Sequence, residues 1–214
     1  MQLIKYDTKT FPFKEIIQEW MKVDDLTNLH RHKKYQVFSR EKDQSSDWHK
    51  IFYEKIKKTQ DFLKCYENFL LQVVKPRYGQ DIVYQRIPTF RVHLSGNLAV
   101  GEFHKDKFYR KKGWSEKVKE KNYYLPFTST NKHNTIWSES KEDKKDFSPM
   151  LLKYGELMEW DGSNLMHGNK INNSSQTRVS VDFRVMPKSQ YTESDHGSIN
   201  TKVKFAVGGY YEII

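Results

Sequence analysis

The sequence predicts a mainly β fold with flanking helices at its N-terminal end. Up to Gly79, apolar residues recur at helical spacing, whereas the chain after Gly79 contains short runs of β-branched and aromatic residues. Turn-forming pairs such as Gly96-Asn97 and Asp161-Gly162 separate these runs, and no helical pattern lies between them. Many short strands in succession indicate a sandwich or a barrel.

Two helices are predicted before the strands. The first spans residues 12–21 and has Phe13 and Trp20 on its apolar face. The second spans residues 48–73 without interruption and follows Ser46, which is a suitable N-cap residue. Each helix has one apolar face, so we expect both to pack against a sheet.

The strand-rich part is predicted to form one domain with the helices. The domain would comprise a helical part (1–80), a β core (81–188) and a C-terminal tail (189–214), which is either a docked lid or the contact of a homodimer. Charged segments at 105–121 and 140–148 are predicted to be loops over the mouth of the barrel, where functional residues often lie. The predicted strands are 82–84, 89–94, 99–104, 123–126, 135–139, 158–160 and 179–185.

Composition restricts the class of protein. No run approaches the roughly 20 apolar residues of a membrane span, and the first residues lack the apolar core of an export signal. One cysteine, Cys65, cannot form an intrachain disulfide, which fits a reducing compartment. We therefore expect a cytoplasmic protein without a membrane partner. The net charge of +10 comes mostly from dispersed lysines, which are typical of a solvated surface.

Three residues form a candidate metal site. His104 and Asp106 form a His-x-Asp pair, and His167 follows much later in the chain. Two imidazoles and one carboxylate can hold one face of a ferrous ion and leave positions for O2 and a co-substrate. Residues two apart on a strand face the same side, so we expect His104 and Asp106 to reach one ion from one side of the pleat. His93 has no partner at a useful spacing and is expected to be a structural or a surface residue.

The last predicted strand carries a candidate anion site. Its sequence alternates strictly, so that Arg178, Ser180, Asp182 and Arg184 share one face and valines and a phenylalanine share the other. Arg178 can bind a carboxylate with two hydrogen bonds while Ser180 donates beside it. The row fits a strand that lines a polar pocket, and an edge strand with its polar face in water is the alternative.

Several sequence blocks resemble the Fe(II)/2-oxoglutarate-dependent oxygenase superfamily. The resemblance is to a branch of small bacterial oxygenases similar to a streptomycin-biosynthesis protein, and more distantly to phytanoyl-CoA hydroxylases. It covers about residues 82–188 and leaves the first helices and the tail with weak support. The blocks are residues 88–94, 97–106, 122–128, 134–139, 160–169 and 178–185.

The resemblance implies a fold and a set of ligands. The fold would be a double-stranded β-helix, a jelly-roll or cupin-like core with the N-terminal helices packed on one face. His104, Asp106 and His167 would bind Fe(II) and act as the catalytic centre. Arg178 and Ser180 would hold the C5 carboxylate of the co-substrate 2-oxoglutarate, and Asn122 is a candidate for a further hydrogen bond to it.

The resemblance also implies the type of reaction. With O2, such an enzyme hydroxylates a small polar metabolite, such as an amino acid, a sugar or a natural-product intermediate, and releases succinate and CO2. Related halogenases carry a small residue at the position of Asp106, so the aspartate favours hydroxylation. Strand parity and loop position suggest five candidate substrate contacts: Arg91, Glu102, Tyr109, Trp137 and Arg184. For Arg184, a salt bridge to Asp182 or to another carboxylate is the alternative.

Two other functions are compatible with the sequence. A nucleic-acid demethylase of the same superfamily would also carry the triad and two arginines on its last strand, but dispersed lysines do not favour nucleic acid as a partner. A non-catalytic β-barrel that binds a small molecule is the other alternative. A closed structural zinc site would need a fourth ligand, which the sequence does not offer near the triad.

Overall fold

Two antiparallel sheets form the β part of the protein. The computed structural model describes residues 1–32, 44–99, 102–109, 120–193, 197 and 203–214. The large sheet contains β1 (Gln2–Lys5), β2 (Ile82–Gln85), β3 (Thr89–His93), β4 (Lys121–Pro126), β7 (Glu156–Trp160), β9 (Arg178–Pro187) and β10 (Tyr211–Ile213). The small sheet contains β5 (Ile136–Ser138), β6 (Ser148–Pro149) and β8 (His167–Asn169).

Strand β9 organises the large sheet. The strand order is β1-β7-β4-β9-β2-β10, and β3 also pairs with β9. On one side β9 pairs with β4, and on the other its first half pairs with β3 and its second half with β2. The alternation expected from the sequence is present, since Val179, Val181 and Phe183 are buried against the helices while the intervening polar residues face a cavity. The prediction of a mainly β fold with flanking helices is confirmed.

Three α-helices of the described part of the chain cover the apolar face of the large sheet. They are α1 (Phe13–Met21), α2 (Asp47–Lys58) and α3 (Asp61–Phe69). The core between helices and sheet is rich in rings, and the stack of Phe52 on Phe90 has ring centroids 4.2 Å apart. Aromatic side chains remove large apolar areas from water, so this layer stabilises the docking of the helices.

The prediction of one helix over residues 48–73 was wrong. The chain breaks between α2 and α3 at Thr59, which is extended and donates a hydrogen bond from its hydroxyl to Asp61 Oδ1 at 2.6 Å. A local bond of this kind competes with helix continuation. The apolar spacing hides the break because both helices bury residues against the same core. After α3 the chain continues as a π-helical turn, Leu70–Val74.

Two other predicted segments also differ from the structure. Residues 100 and 101 of the strand predicted at 99–104 lie outside the described residues, and the remainder forms only an isolated bridge at His104. The loop predicted at 105–121 contains a short 3-10 helix, Asp106–Tyr109, and its residues 110–119 are not described.

The C-terminal segment 203–214 docks on the sheet. Strand β10 pairs with β2, and Tyr211 is fully buried there. Within the described residues, the helices are all too short or too polar to cross a lipid bilayer.

We predict that protonation of a buried histidine on α2 destabilises the fold in acid. Burial lowers the pKa of His49 to about 3, and the ring lies edge-on against Phe90. A histidine with a depressed folded-state pKa contributes stability above its unfolded pKa of 6.5, and this stability is lost as the pH falls from 6.5 towards 3. The expected contribution to the slope is about 1.4 kcal/mol per pH unit.

The measurement is the free energy of unfolding in urea between pH 6 and pH 4. His49→Asn removes the titrating group, so its slope should be shallower than that of the natural chain by the stated amount, whatever its absolute stability. Equal slopes for the two proteins would contradict the prediction.

Candidate metal centre and cavity

A cavity of about 630 Å³ lies between the two sheets. Its walls come from β3, β4 and β9 of the large sheet, from β5 and β8 of the small sheet, and from the C-terminal segment. The polar row of β9 forms one continuous wall of this cavity, which corresponds to the pocket alternative rather than to an edge strand in water. The four residues of that row are Arg178, Ser180, Asp182 and Arg184.

The three predicted metal ligands meet at this cavity. His104 and His167 face each other across an antiparallel bridge, in which each backbone N–H donates to the other's carbonyl at 2.9 and 3.0 Å. Asp106 Oδ1 lies 3.4 Å from His104 Nε2 and 3.8 Å from His167 Nε2. Their candidate ligand atoms all lie within 4.8 Å of one another, as one bound ion requires.

The expectation that one strand presents both His104 and Asp106 was wrong. Only His104 has a strand-like partner, and Asp106 begins the short 3-10 helix. The backbone N–H of Asp106 donates instead to the carbonyl of Gly162 at 2.9 Å, in the turn that follows β7. A loop-to-turn hydrogen bond therefore brings the carboxylate to the two imidazoles.

Each histidine is oriented by its own backbone. His104 Nδ1 is 2.8 Å from the carbonyl of Glu102, and His167 Nδ1 is 2.9 Å from the carbonyl of Leu165. When each Nδ1 carries the proton and donates to that carbonyl, the lone pair of Nε2 points to the common centre. Fixing the second nitrogen in this way is how proteins set the tautomer of a metal-binding histidine.

The second oxygen of Asp106 is held by two donors. Asn122 Nδ2 and Arg184 Nη2 each donate to Oδ2, both at 2.9 Å. Oδ1 therefore faces the imidazoles while Oδ2 faces its protein partners. Burial by itself would raise the pKa of Asp106, but the Arg184 guanidinium and the hydrogen bonds from its neighbours hold that pKa well below its usual range.

The pKa values of the two histidines shift in opposite directions. Burial opposes charge on both, but at His104 the hydrogen bonds to Asp106 and to the carbonyl of Glu102, together with the charge of Asp106, outweigh burial and raise the pKa of that ring. At His167, which is more deeply buried, desolvation dominates and lowers the pKa. A metal ligand must be a neutral imidazole, so the lowered pKa of His167 favours its ligand form, while His104 releases a proton to the solvent when it binds an ion below its raised pKa.

Arg178 is a buried cation at the other end of the site. The side chain is 1% exposed, and Nη1 donates to the carbonyl of Asn134 and to Asn169 Oδ1 at 3.0 and 2.8 Å. Within the described part of the chain, its Nε and the hydroxyl of Ser180 have no hydrogen-bond partner and no carboxylate pairs with the guanidinium. The hydroxyl of Tyr124 and the indole N–H of Trp160 are also buried there without a partner among the described residues.

The structure places the candidate substrate residues in different surroundings. Arg91 lines the cavity and pairs with Asp182 at 2.8 Å. Arg184 also lines the cavity but pairs with Asp106, so a salt bridge does form, though not to Asp182. Glu102 is exposed and does not line the cavity. Its contribution to the site is its backbone carbonyl, which orients the ring of His104. The side chain of Tyr109 lies outside the described structure.

Trp137 faces away from the cavity, so the prediction that it projects into the mouth was wrong. Its neighbour Ile136 lines the cavity, and adjacent strand residues point to opposite faces. On the outer face, Trp137 Nε1 donates to the carbonyl of Lys132 at 3.0 Å, and Lys170 Nζ lies 3.3 Å from the ring centre. The strand was predicted correctly, but the side chains assigned to its inner and outer faces were not.

The sequence interpretation missed several residues of the site. Glu120 is 1% exposed and contacts Arg184, and Tyr210 from the C-terminal segment lines the cavity. Tyr124 lies two residues after Asn122 on β4, so strand parity alone could have placed it on the cavity wall. Tyr210 gives no such signal because it is distant in sequence from the triad and from the polar row of β9.

Comparison with known proteins identifies the family. The streptomycin biosynthesis protein StrG of Streptomyces griseus is 33% identical over 211 residues, which covers 99% of this chain and 97% of that protein. No protein-family model matches the sequence. The chain therefore belongs to the family of StrG.

Solved structures show weaker likenesses. The non-heme monooxygenase ThoJ in its apo form gives a TM-score of 0.49 with 11% identity, covering 97% of this chain and 82% of that one. EctD from S. alaskensis with bound Fe gives 0.49 with 9% identity, covering 90% and 74%. AviO1 from Streptomyces viridochromogenes Tue57 gives 0.44 with 12% identity, covering 89% and 91%. At these scores the likenesses add nothing to the interpretation of the site.

We predict that Gly162 is required for the support of Asp106. A Cβ atom at this position would lie 2.7 Å from the amide of Asn122, too close for either group to stay in place. Gly162→Ala should therefore displace Asn122 from Asp106 and lower the affinity for a divalent ion about tenfold, the lower end of the effect of losing such a partner. Titration with Co(II), followed by its ligand-field absorption, measures the affinity.

A double-mutant cycle separates this cause from general damage. Asn122→Ala should lower the affinity by a similar factor, and adding Gly162→Ala to it should have little further effect because the clashing amide is gone. Additive losses in the double variant, or an unchanged affinity in Gly162→Ala, would contradict the prediction.

Proposed function

We propose that this protein is an Fe(II)- and 2-oxoglutarate-dependent oxygenase that hydroxylates a small polar metabolite. In this reaction one atom of O2 enters the substrate as a hydroxyl group and the other enters succinate, with release of CO2. The fold would be a double-stranded β-helix, for which two antiparallel sheets around a central cavity are the expected arrangement. The observation that carries the proposal is a buried arginine, Arg178, which shares the cavity with the triad and has no carboxylate partner among the described residues.

The energetics of Arg178 support an anionic ligand. A buried charge without a counter-ion is costly, and its hydrogen bonds to Asn134 and Asn169 satisfy Nη1 but supply no opposite charge. A carboxylate beside Nε and the Ser180 hydroxyl would provide both the charge and the missing acceptor. This is the requirement that the distal carboxylate of 2-oxoglutarate would meet.

The donor set fits ferrous iron. Two neutral imidazole nitrogens and one carboxylate oxygen suit Fe(II), and together they form the facial set that leaves other positions open. Bound iron would supply the redox chemistry that activates O2. The chain's own residues orient the ligands, exclude water from the cavity and place the co-substrate between the triad and Arg178.

Asn122 has a different role in this proposal from the one the resemblance implies. Its Nδ2 is used by Asp106, and its Oδ1 is an acceptor that repels the oxygens of a carboxylate. We therefore assign Asn122 to the support of the metal ligand. Tyr124 and Trp160 are better candidates for additional donors to the co-substrate, since their buried O–H and N–H have no acceptor among the described residues.

The remaining wall of the cavity favours a polar substrate. The Arg91–Asp182 pair is only partly exposed, and Gln85 and Thr89 line the same side. Side chains of both charges with amide and hydroxyl neighbours suit a molecule that carries several hydroxyl or amino groups. The streptomycin-biosynthesis role in the name of StrG is consistent with a natural-product intermediate of this kind.

We predict iron-dependent formation of succinate from 2-oxoglutarate, at a slow uncoupled rate without the substrate and faster with it. Asp106→Ala should abolish this turnover. Arg178→Met should raise the KM for 2-oxoglutarate about 10- to 100-fold, because one or two charge-assisted hydrogen bonds contribute about 1.5–3 kcal/mol. Succinate is quantified by mass spectrometry in the presence of each member of a panel of polar metabolites, which are tested as substrates.

Matched surface variants provide the controls. Asp81→Ala and Arg86→Met make the same two types of substitution at residues that form exposed ion pairs, and they should leave turnover unchanged. Succinate formation that persists in Asp106→Ala or in excess chelator would refute the proposal. Tight, metal-independent binding of a metabolite without turnover would favour a binding protein instead, and a steep salt dependence of oligonucleotide binding would favour a demethylase.

A further inference from the structure

We propose that Arg184, Glu120 and Tyr211 are positioning residues that couple the docking of the C-terminal segment to the orientation of the metal ligand Asp106. This inference rests on the metal site of the proposed function but not on its reaction or substrate. It is carried by an unbroken series of hydrogen bonds and ion pairs from the last strand to the carboxylate.

Arg184 is the centre of the network. Its guanidinium contacts three groups at once: Nη2 donates to Asp106 Oδ2 at 2.9 Å, Nε lies 3.3 Å from Glu120 Oε1, and Nη1 donates to the hydroxyl of Tyr210 at 3.1 Å. A planar guanidinium held on three sides has little rotational freedom. The direction in which it presents Nη2 to Asp106 is therefore set by Glu120 and Tyr210.

Glu120 is in turn held by the C-terminal strand. The Tyr211 hydroxyl donates to Glu120 Oε2 at 2.6 Å, so the two oxygens of this carboxylate bind two different elements, β9 and β10. The side chain of Glu120 is fully buried, and so is Tyr211. Buried charged groups gain most from satisfied partners, so loss of the tyrosine hydroxyl should disturb the whole network.

The C-terminal segment also forms part of the cavity wall. Val203, Phe205 and Tyr210 line the same space as the triad. The segment that encloses the substrate side is thus connected, through two tyrosine hydroxyls and one arginine, to the carboxylate that would bind the ion. Coupling between two such events is reciprocal, so metal binding should stabilise docking of the segment by the factor by which docking strengthens metal binding.

The first test measures metal affinity and geometry with Co(II) as the probe. Tyr211→Phe should weaken binding several-fold, Arg184→Met about 10- to 100-fold, and Arg184→Lys by less than Arg184→Met because a single donor to Asp106 is retained. The ligand-field bands of bound Co(II) should shift in these variants, since the carboxylate changes orientation. A loss of stability alone would not produce such a shift.

Tyr191→Phe is the matched control. Its hydroxyl accepts a hydrogen bond from the backbone of Val207 at 3.0 Å, so it also holds the C-terminal segment, but its side chain has no contact with Arg184 or Glu120 among the described residues. We expect the Co(II) spectrum of Tyr191→Phe to match that of the natural chain, because the hydrogen bonds of Arg184 and Glu120 that orient Asp106 are retained.

The second test measures the reciprocal effect by hydrogen exchange. Saturating Co(II) should slow amide exchange in residues 211–213 of the natural chain, and the protection should shrink in Arg184→Met. Unchanged affinity and spectrum in Tyr211→Phe and Arg184→Met, or exchange that does not respond to Co(II), would overturn this inference and leave the proposed function intact. Failure of the natural chain to bind Co(II) would overturn both.

Discussion

The polar face of β9 determines where the cavity lies and what encloses it. Four residues with charges or a hydroxyl point the same way from a strand whose other face is sealed by helices. Such a row is stable only beside solvent, opposite charges or a ligand. The small sheet and the C-terminal segment enclose this polar row, so a polar cavity lies between the sheets where a second apolar layer would otherwise be. The cavity follows from this arrangement.

Asp106 shows how the two sheets share one site. Its backbone is fixed by the turn after β7, one oxygen faces imidazoles held by the small sheet, and the other receives donors from β4 and β9 of the large sheet. The carboxylate thus spans the gap between the layers. Its lowered pKa keeps the carboxylate ionised at neutral pH, so it is available there as a metal ligand.

The features that could be predicted from the sequence were those encoded by residues close together in the chain. Strict alternation assigned both faces of β9. The His-x-Asp pair, and the Arg-x-Ser pair that begins eleven residues after His167, singled out groups that the structure brings to one cavity. Errors arose where a hydrogen bond overrode the pattern. Thr59 ended a helix whose apolar spacing continued, and Asp106 reached its neighbours from a 3-10 turn instead of a strand. In β5 the prediction placed Trp137 on the inner face, which Ile136 occupies instead.

Long-range partners were beyond the reach of sequence patterns. The contact of Arg184 with Asp106 joins residues 78 apart, and that of Tyr211 with Glu120 joins residues 91 apart. Nothing in the spacing of these residues distinguishes them from surface pairs. The tail could be recognised as aromatic, but its role in closing the cavity required the pairing of β10 with β2.

The two arginines of β9 illustrate why geometry decides function where sequence does not. Arg178 and Arg184 lie on the same face of the same strand, and the sequence offers either of them as a ligand-binding group. Arg184 meets two carboxylates and a hydroxyl, whereas Arg178 meets only neutral oxygens and an aromatic ring among the described residues. A compensated guanidinium gains little from an added anion, and an uncompensated one gains much. The division of roles, support for Arg184 and anion binding for Arg178, follows from that difference in partners.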